Sequence, residues 1–346
     1  MIDLKSQMLS ELQQEMEQLG EPKFRAKQIS SWMHEKLADS FDEMTNLPKS
    51  LREKLQQRYE WVRLELVQVQ QSDQDGTCKF LFRLPDGNVI ESVRMKYHHG
   101  NSVCISSQAG CRMGCRFCAS TLNGLERNLK ASEMLEQIYQ IQKWSKERVH
   151  NVVVMGTGDP LDNFDARRLF LRLLPQDRGL QISESNLPVS TCGLVPQMRR
   201  LADEKLQITL ALSLHAPNQE KRRSIMPIAG KYGLSEVLDA CRYYFAQTGR
   251  RITFEYSLVG GVNDSREDAE ELAALVKPLN CHINLIPVNP VRERKFAPPD
   301  HRAVVNFKNK LEKSGINVTI RREMGRDIDG ACGQLRKSYM DTERVR

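Results

Sequence analysis

The chain has 346 residues, 40% of them hydrophobic, which is enough to bury a full core and more than one average domain needs. Its 51 basic and 44 acidic residues leave a net charge of +7, which admits an RNA partner without identifying one. No apolar run of about 18 residues is present to span a bilayer, and the start is polar from Asp3 onward with no signal-peptide core. Nine cysteines, an odd number with four gathered in one stretch, suit a reducing cytoplasm and a metal better than a disulfide framework.

Residues 3–20 and 24–58 read as short helices. Leu4, Met8, Leu12, Met16 and Leu19 recur at helical spacing until Gly20-Glu21-Pro22 breaks the run. The next helix carries Arg25, Lys27, Trp32 and Met33, and another, over 50–59, carries Arg52, Lys54 and Arg58. Such basic faces are either solvated surface or an RNA-docking surface. Residues 61–70, 77–84 and 88–96 switch to a period of two, joined by Asp75-Gly76 and Pro85-Asp86-Gly87 turns, and predict an antiparallel meander. Glu91 lies in its last strand. From Ser102 onward strands alternate with helices. Val-, Ile- and Leu-rich strands are expected at 103–106, 151–155, 187–191, 207–214, 251–258, 282–286 and 317–322. Helices are expected between them, for example at 131–148, 235–247, 264–277 and 302–314. Repeated βα units imply a parallel sheet with its chemistry at the C-terminal strand ends. No internal repeat or low-complexity segment is present.

The stretch from Cys104 to Cys118 holds the strongest chemical signal. Cys111, Cys115 and Cys118 follow a C-x3-C-x2-C spacing on a glycine-containing loop, so three thiolates can converge on one soft metal centre. A closed zinc site wants four ligands, and no second Cys/His pair follows Cys118 at finger-like distance. A cubane iron–sulfur cluster on three cysteines leaves one iron open to a small molecule; a zinc loop or chance clustering is the bland alternative. Past the next strand comes Gly156-Thr157-Gly158-Asp159-Pro160, where glycines admit a ligand close to the backbone and a carboxylate can take an ammonium group. Ser190-Thr191-Cys192-Gly193, Ser213-Leu214-His215 and Pro287-Val288-Asn289-Pro290 follow later strands. Each alone is a weak signal, since such residues also make ordinary turns. Cys332, between small residues on a polar loop, is either reactive or inert packing. Cys78, Cys192, Cys241 and Cys281 read as packing residues.

The cysteine triad resembles the signature of the radical S-adenosylmethionine (SAM) superfamily. Cys104-Ile105-Ser106-Ser107-Gln108 before it, Phe117-Cys118-Ala119-Ser120 after it, and Asp327-Ile328-Asp329-Gly330-Ala331-Cys332-Gly333-Gln334-Leu335 resemble the RlmN-type RNA adenine methyltransferases. The resemblance covers nearly the whole chain, being weakest over 182–187 and the N-terminal helices. It implies an α/β fold, a radical-SAM partial (β/α)6 barrel. The expected divisions are a helical RNA-docking domain over 1–60, an antiparallel β extension over 61–99, the barrel over 100–325, and a C-terminal loop and tail over 326–346. It further implies a [4Fe-4S] cluster on Cys111, Cys115 and Cys118, with two SAM molecules used per turnover. Gly158, Asp159, Ser190, Ser213, Leu214, His215 and Asn289 match positions that contact SAM. Asp159 stands where the family shows Glu, one methylene shorter.

The chemistry so implied is methylation of adenosine carbon 2 in 23S rRNA, at the peptidyl-transferase centre, and in tRNA, beside the anticodon. Cys332 carries the methyl group, a 5′-deoxyadenosyl radical activates it, Glu91 accepts a proton, and a transient Cys104–Cys332 disulfide releases the product. An electron donor such as flavodoxin or ferredoxin, a monomeric state and a cytoplasmic location are part of the same expectation. The chloramphenicol–florfenicol resistance enzymes use the same apparatus on carbon 8. Ile286-Pro287-Val288-Asn289-Pro290-Val291 and Arg112-Met113-Gly114 look more like the carbon-2 enzymes. A non-catalytic RNA-binding iron–sulfur protein would need neither Cys104 nor Cys332, and a zinc-stabilised ribosome-associated factor lacks its fourth ligand.

Overall fold

The computed structural model describes residues 1–176 and 179–345. A short strand β1 (Ile2–Asp3) precedes helices α1 (Leu9–Gln18), α2 (Phe24–His34) and α3 (Lys49–Arg58), and β1 pairs in parallel with β2 (Tyr59–Glu60). Gly20, at φ 72°, ends the first helical run in the left-handed conformation that its lack of a side chain permits. Leu12, Met16, Ala26, Ile29, Met33, Leu51 and Leu55 close over one another as a core separate from that of the larger body. Leu4 joins this core from a 3-10 turn rather than from the helix its spacing suggested.

Three strands follow, β3 (Glu65–Gln71), β4 (Cys78–Arg83) and β5 (Val89–Tyr97), and form the expected antiparallel meander. Residues 61–64 do not extend β3. Trp61 packs edge-on against Phe41 with ring centroids 4.7 Å apart, and the Val62 carbonyl accepts a hydrogen bond from Lys5 Nζ at 2.8 Å. Strand β6 (Gly100–Cys104) pairs antiparallel with β5, so the meander runs directly into the barrel sheet. A small hairpin of β7 (Gln108–Gly110) and β8 (Leu125–Asn128) then brackets the cysteine loop.

The barrel proper comprises six βα units: β6 with α4 (Ala131–Ser145), β9 (Val149–Val153) with α5 (Phe164–Leu173), β10 (Val189–Thr191) with α6 (Val195–Asp203), β11 (Leu210–Ser213) with α7 (Gln219–Ile225) and α8 (Leu234–Thr248), β12 (Ile252–Leu258) with α9 (Arg266–Val276), and β13 (Cys281–Pro287) with α10 (His301–Lys313). A seventh parallel strand, β14 (Val318–Ile320), adds to β13. Strand β6 pairs in parallel with β9, a Val154–Val189 bridge joins β9 to β10, and the order then runs β10-β11-β12-β13-β14. This is the expected partial (β/α)6 barrel with mixed α/β content, its sheet open between β3 and β14.

Alternation along each strand sorts the residues. Val103, Val152, Leu212, Phe254, Leu285 and their like pack under the helices as the main core. The intervening residues face the other way: Ser213, Glu255, Asn284 and Thr319 stand abreast across four strands. The last helix, α11 (Gln334–Val345), occupies what sequence spacing left as a tail, and its Leu335 packs with Leu81 and Val89 over β4 and β5. No helix among the described residues is long and apolar enough to cross a membrane.

Candidate active site

The cysteine loop is closed at its base by backbone. Cys111 N–H donates to the Gly124 carbonyl at 2.8 Å, and a Cβ on Gly110 (φ 77°) would lie 2.1 Å from that same oxygen, so only glycine fits there. Cys111, Cys115 and Cys118 are free, and each is electrostatically coupled to another of the three. They are neighbours rather than a closed chelate: among the described residues no three His, Cys, Asp or Glu side chains are gathered to hold a single ion. Burial pushes the Cys111 thiol up to about 12 and Cys115 well above its ordinary value. Soft thiols kept from ionising by burial give up their protons to a metal in exchange. Arg222 Nη1, buried nearby without an acceptor, adds an unmet positive charge. The donor set and its surroundings therefore fit an anionic iron–sulfur cluster.

A shelf of loops follows β6, β9, β10 and β11. Gly156 N–H donates to the Ile105 carbonyl at 3.0 Å, and Thr157 N–H donates to Ser106 Oγ at 3.0 Å. Gln137 on α4 fastens the same corner, accepting from Ser106 N–H at 2.8 Å and donating to the Ser106 carbonyl at 3.0 Å. Gly158, at φ 101°, lies against Gln108, whose Oε1 accepts from Asp159 N–H at 2.9 Å. The Asp159 carboxylate is already occupied. Its Oδ2 accepts from Thr191 Oγ1 at 3.1 Å and Cys192 N–H at 2.8 Å, and its Oδ1 accepts from Leu161 N–H at 2.9 Å. Through these bonds the shorter side chain braces one loop against the next.

Ser190 and Ser213 sit half-buried at the ends of β10 and β11, and Leu214 is buried beside them. His215 adopts a left-handed backbone, φ 56°, held by Asn263, which donates to its carbonyl at 2.7 Å. Its Nδ1 accepts from Ser257 N–H at 2.9 Å, its ring meets Phe117 of the cysteine loop edge-on at 5.0 Å, and burial lowers its pKa to about 3. A neutral, fixed imidazole results. Asn289 stands apart from this shelf, exposed on the loop after β13.

Opposite the shelf lies the Cys332 loop, tied down by residues far away in sequence. Glu91 accepts from Gly333 N–H and, through its other oxygen, from Arg336 N–H at 3.1 Å. Lys79, fully buried, pairs with Glu91 at 3.1 Å and donates to the carbonyls of Asp329, at 2.6 Å, and Ala331. Ser72 Oγ donates to Asp327 at 2.6 Å, and Arg336 donates to the Val89 carbonyl at 2.7 Å. The loop so held delivers Cys332 Sγ to within 3.6 Å of the Met155 carbonyl. Cys104, at the end of β6, pairs in register with Val153, two residues before Met155, and the two thiols lie close enough to act on each other's charge. Burial pushes Cys104 up to about 12; burial, then the neighbouring Glu91, raises Cys332.

Cys104, Cys332, Glu91, the three loop cysteines and the Gly158–His215 shelf thus meet at one end of the sheet. Sequence analysis did not single out Lys79, Arg336, Gln137, Arg222 or Glu255. Of these, Glu255 carried a legible signal, a carboxylate in an otherwise apolar strand; it is buried beside Ser213 in register and accepts from Asn284 at 2.9 Å.

Residues 2–60 match the ribosomal RNA large subunit methyltransferase N-terminal domain family, and residues 105–276 match the radical SAM superfamily. The chain is 65% identical to a probable dual-specificity RNA methyltransferase RlmN of Lachnospira eligens, over 99% of this chain and 97% of the relative. It is 54% identical to the protein of that name in Clostridium novyi, over 96% of this chain and 97% of the relative. In fold it is similar to a crystal structure of a radical SAM methyltransferase from Sphaerobacter thermophilus, with TM-score 0.92 and 43% identity over 96% of this chain and 99% of that one.

Proposed function

The chain belongs to the RlmN family of radical SAM RNA methyltransferases, and we propose on that premise that it methylates carbon 2 of adenosine in 23S rRNA and tRNA with Cys332 as methyl carrier. The observation supporting this is the approach of Cys332 Sγ to the Met155 carbonyl, just past the end of β9 against which Cys104 pairs, beside a loop of three free cysteines. An adenine ring carbon is electrophilic, as is the methyl of SAM, so direct displacement between them fails and a carrier sulfur is required. Cys111, Cys115 and Cys118 would hold a [4Fe-4S] cluster, which would supply the single electron needed for radical cleavage of SAM.

The remaining steps belong to the chain's own residues. Cys332 must lose its thiol proton to take a methyl group, and Glu91 is the carboxylate beside it, oriented by Lys79 and two backbone N–H groups. Once carbon joins Cys332 to the base, the adduct gives up its odd electron and carbon 2 gives up its hydrogen as a proton; Cys104, its own thiol proton lost, then bonds through sulfur to Cys332 sulfur as the Cys332–carbon bond breaks. The electron pair stays with carbon, which takes up a proton and becomes the methyl group. The resulting disulfide needs two electrons to return to thiols, and a flavodoxin or ferredoxin type of donor suits the cluster. Gly158, Asp159, Ser190, Ser213, Leu214 and His215 are the proposed shelf for SAM, and Asn289, on the exposed loop after β13, is the proposed reader of the adenine ring.

The N-terminal helices are the proposed RNA-docking body. Lys54 and Arg58 are engaged by Glu21 and Glu15, so the cations available on this body include exposed Lys27 and Arg25, which lies over the exposed Phe24 ring at 4.9 Å. Nucleoside mass spectrometry of unmodified 23S rRNA and tRNA, incubated anaerobically with reconstituted enzyme, SAM and reductant, tests the whole. Appearance of 2-methyladenosine supports the proposal, 8-methyladenosine moves the protein to the resistance type, and no methylated adenosine overturns the substrate claim.

A further inference from the structure

Among the described residues, Arg222 is a buried cation with no carboxylate paired to it. Its side chain is fully buried on α7. Nε donates to the Leu214 carbonyl at 3.2 Å, and Nη2 donates to the carbonyls of Cys192 at 2.6 Å and Ser213 at 3.3 Å. Nη1 is buried with no acceptor. The groups that favour its charge are cysteines, Cys192, Cys115 and Cys241, while the neighbouring imidazole of His215 is neutral. Arg167, equally buried, differs in having the Glu204 carboxylate at 3.6 Å. A guanidinium does not shed its charge, and burying it unpaired is strongly unfavourable.

The position of α7 points to what balances that charge. Arg116 N–H, inside the cysteine loop, donates to the Ile225 carbonyl at 2.9 Å, and Pro227 lies against Gly114. Beneath the guanidinium, Gly193 (φ 101°) leaves only 3.3 Å between a would-be Cβ and Nη2. The end of α7 is therefore the wall behind the cysteine loop, and Arg222 is fixed in that wall by three carbonyls.

We infer that Arg222 is a positioning residue for the iron–sulfur cluster, a fixed buried charge that stabilises the reduced cluster on Cys111, Cys115 and Cys118. This rests on the cluster assignment made above. A cluster ligated by three thiolates is anionic and becomes more so on reduction, so a cation held beside it in low dielectric raises its reduction potential.

The test is an EPR-monitored redox titration of anaerobically reconstituted wild type, Arg222→Met and Arg222→Lys, without SAM or RNA, with iron and sulfide assayed in each. Arg222→Met is expected to hold the cluster but to show about tenfold less reduced cluster at a fixed potential, a drop of about 59 mV for one electron. Arg222→Lys keeps the charge and stays within about threefold of wild type by the same measure. An unchanged potential in Arg222→Met overturns the inference, as do equal drops in both variants, because charge is then not the cause. A shift that appears only after SAM is added assigns the guanidinium to the SAM carboxylate and overturns it too. Should Arg222→Met fail to accumulate with a cluster, Arg222→Lys decides alone: a near-wild-type potential supports the role and a tenfold drop refutes it. Wild type that takes up no iron or sulfide removes the cluster assignment itself, before any variant is compared.

Discussion

The cysteine loop and the Cys332 loop meet at the same end of one sheet, yet the first is closed at its base by neighbours in the chain and only braced from outside by Ile225 and His215, while the second is clamped by residues far away in sequence. Cys111, Cys115 and Cys118 lie within eight residues, closed by one short hairpin and one backbone bond to Gly124. Cys332 depends on Lys79, Glu91, Ser72 and Asp327, contacts that reach across more than 240 residues for Glu91 with Gly333. A loop made by local sequence holds its geometry even when its surroundings loosen. A loop made by long-range polar clamps can be released without unfolding what lies beneath it, which suits a cysteine that must alternate between methyl transfer and disulfide exchange.

The largest effects should come from breaking the local side. Cys111→Ala removes one of three cluster ligands, so absorbance from the cluster and formation of methylated adenosine should both fall below detection, while urea unfolding of the protein stays close to that of the cluster-free wild type. Retained iron at wild-type stoichiometry would show that this cysteine is no ligand. Cys104→Ala should stop turnover differently. The cluster and SAM cleavage persist, and one enzyme molecule becomes covalently attached to RNA through Cys332, visible as a nuclease-sensitive band shift on a denaturing gel. Full activity with no adduct would end the resolving role.

Breaking the long-range side should separate loop from cluster. Lys79→Met leaves Glu91 buried without its cation, where removing one partner of a buried pair costs about 3 kcal/mol. Stability in urea should fall by that order, and residues 325–333 should become the first site of limited proteolysis. Iron content should stay at the wild-type level. Simultaneous loss of the cluster would show that the two regions are not independently held.

That same contrast decides how much could be read in advance. The cysteine spacing, the meander and six βα units were legible because adjacency and periodicity encode them. Glu91 was legible only through family resemblance: by alternation it belongs on a wet face, as do Lys79 and Leu81. That face is dry because α11 and the Cys332 loop cover it, with Leu335 packed on Leu81 and Val89 and Tyr339 accepting a 2.8 Å hydrogen bond from Arg83. The helix was missed because residues 334–345 are mostly polar, with a stripe of only Leu335, Tyr339 and Met340 toward the sheet. Asp159 was read from its motif as a ligand group, but its bonds to Thr191 and Cys192 were not legible, because they depend on where β10 ends. Arg222, in no motif, went unread because its bond to the Cys192 carbonyl depends on that same strand end.

The smallest perturbation gives the finest measure of the clamps. Ser72→Ala deletes the Oγ that donates to Asp327 at 2.6 Å, a loss on the order of 1 kcal/mol for the loop, and methylation should slow only about twofold. The informative readout is pH. The Ser72 hydrogen bond is the first cause holding the Asp327 carboxyl below its ordinary value. A carboxylate with a depressed folded pKa contributes stability that is present above the unfolded value, about 3.9, and is lost as pH falls through the folded one. Wild-type protein should therefore keep the 325–333 segment protected from an acid-tolerant protease down to about pH 4 and lose protection below it. In Ser72→Ala the protection should be weaker at pH 6 and change less on acidification, because the largest cause of the depressed carboxyl is gone while the Asp73 N–H, donating at 2.9 Å, still holds part of it. An identical acid profile in both proteins would mean that Asp327 does not clamp the loop, and would leave Lys79 and Glu91 as its holders.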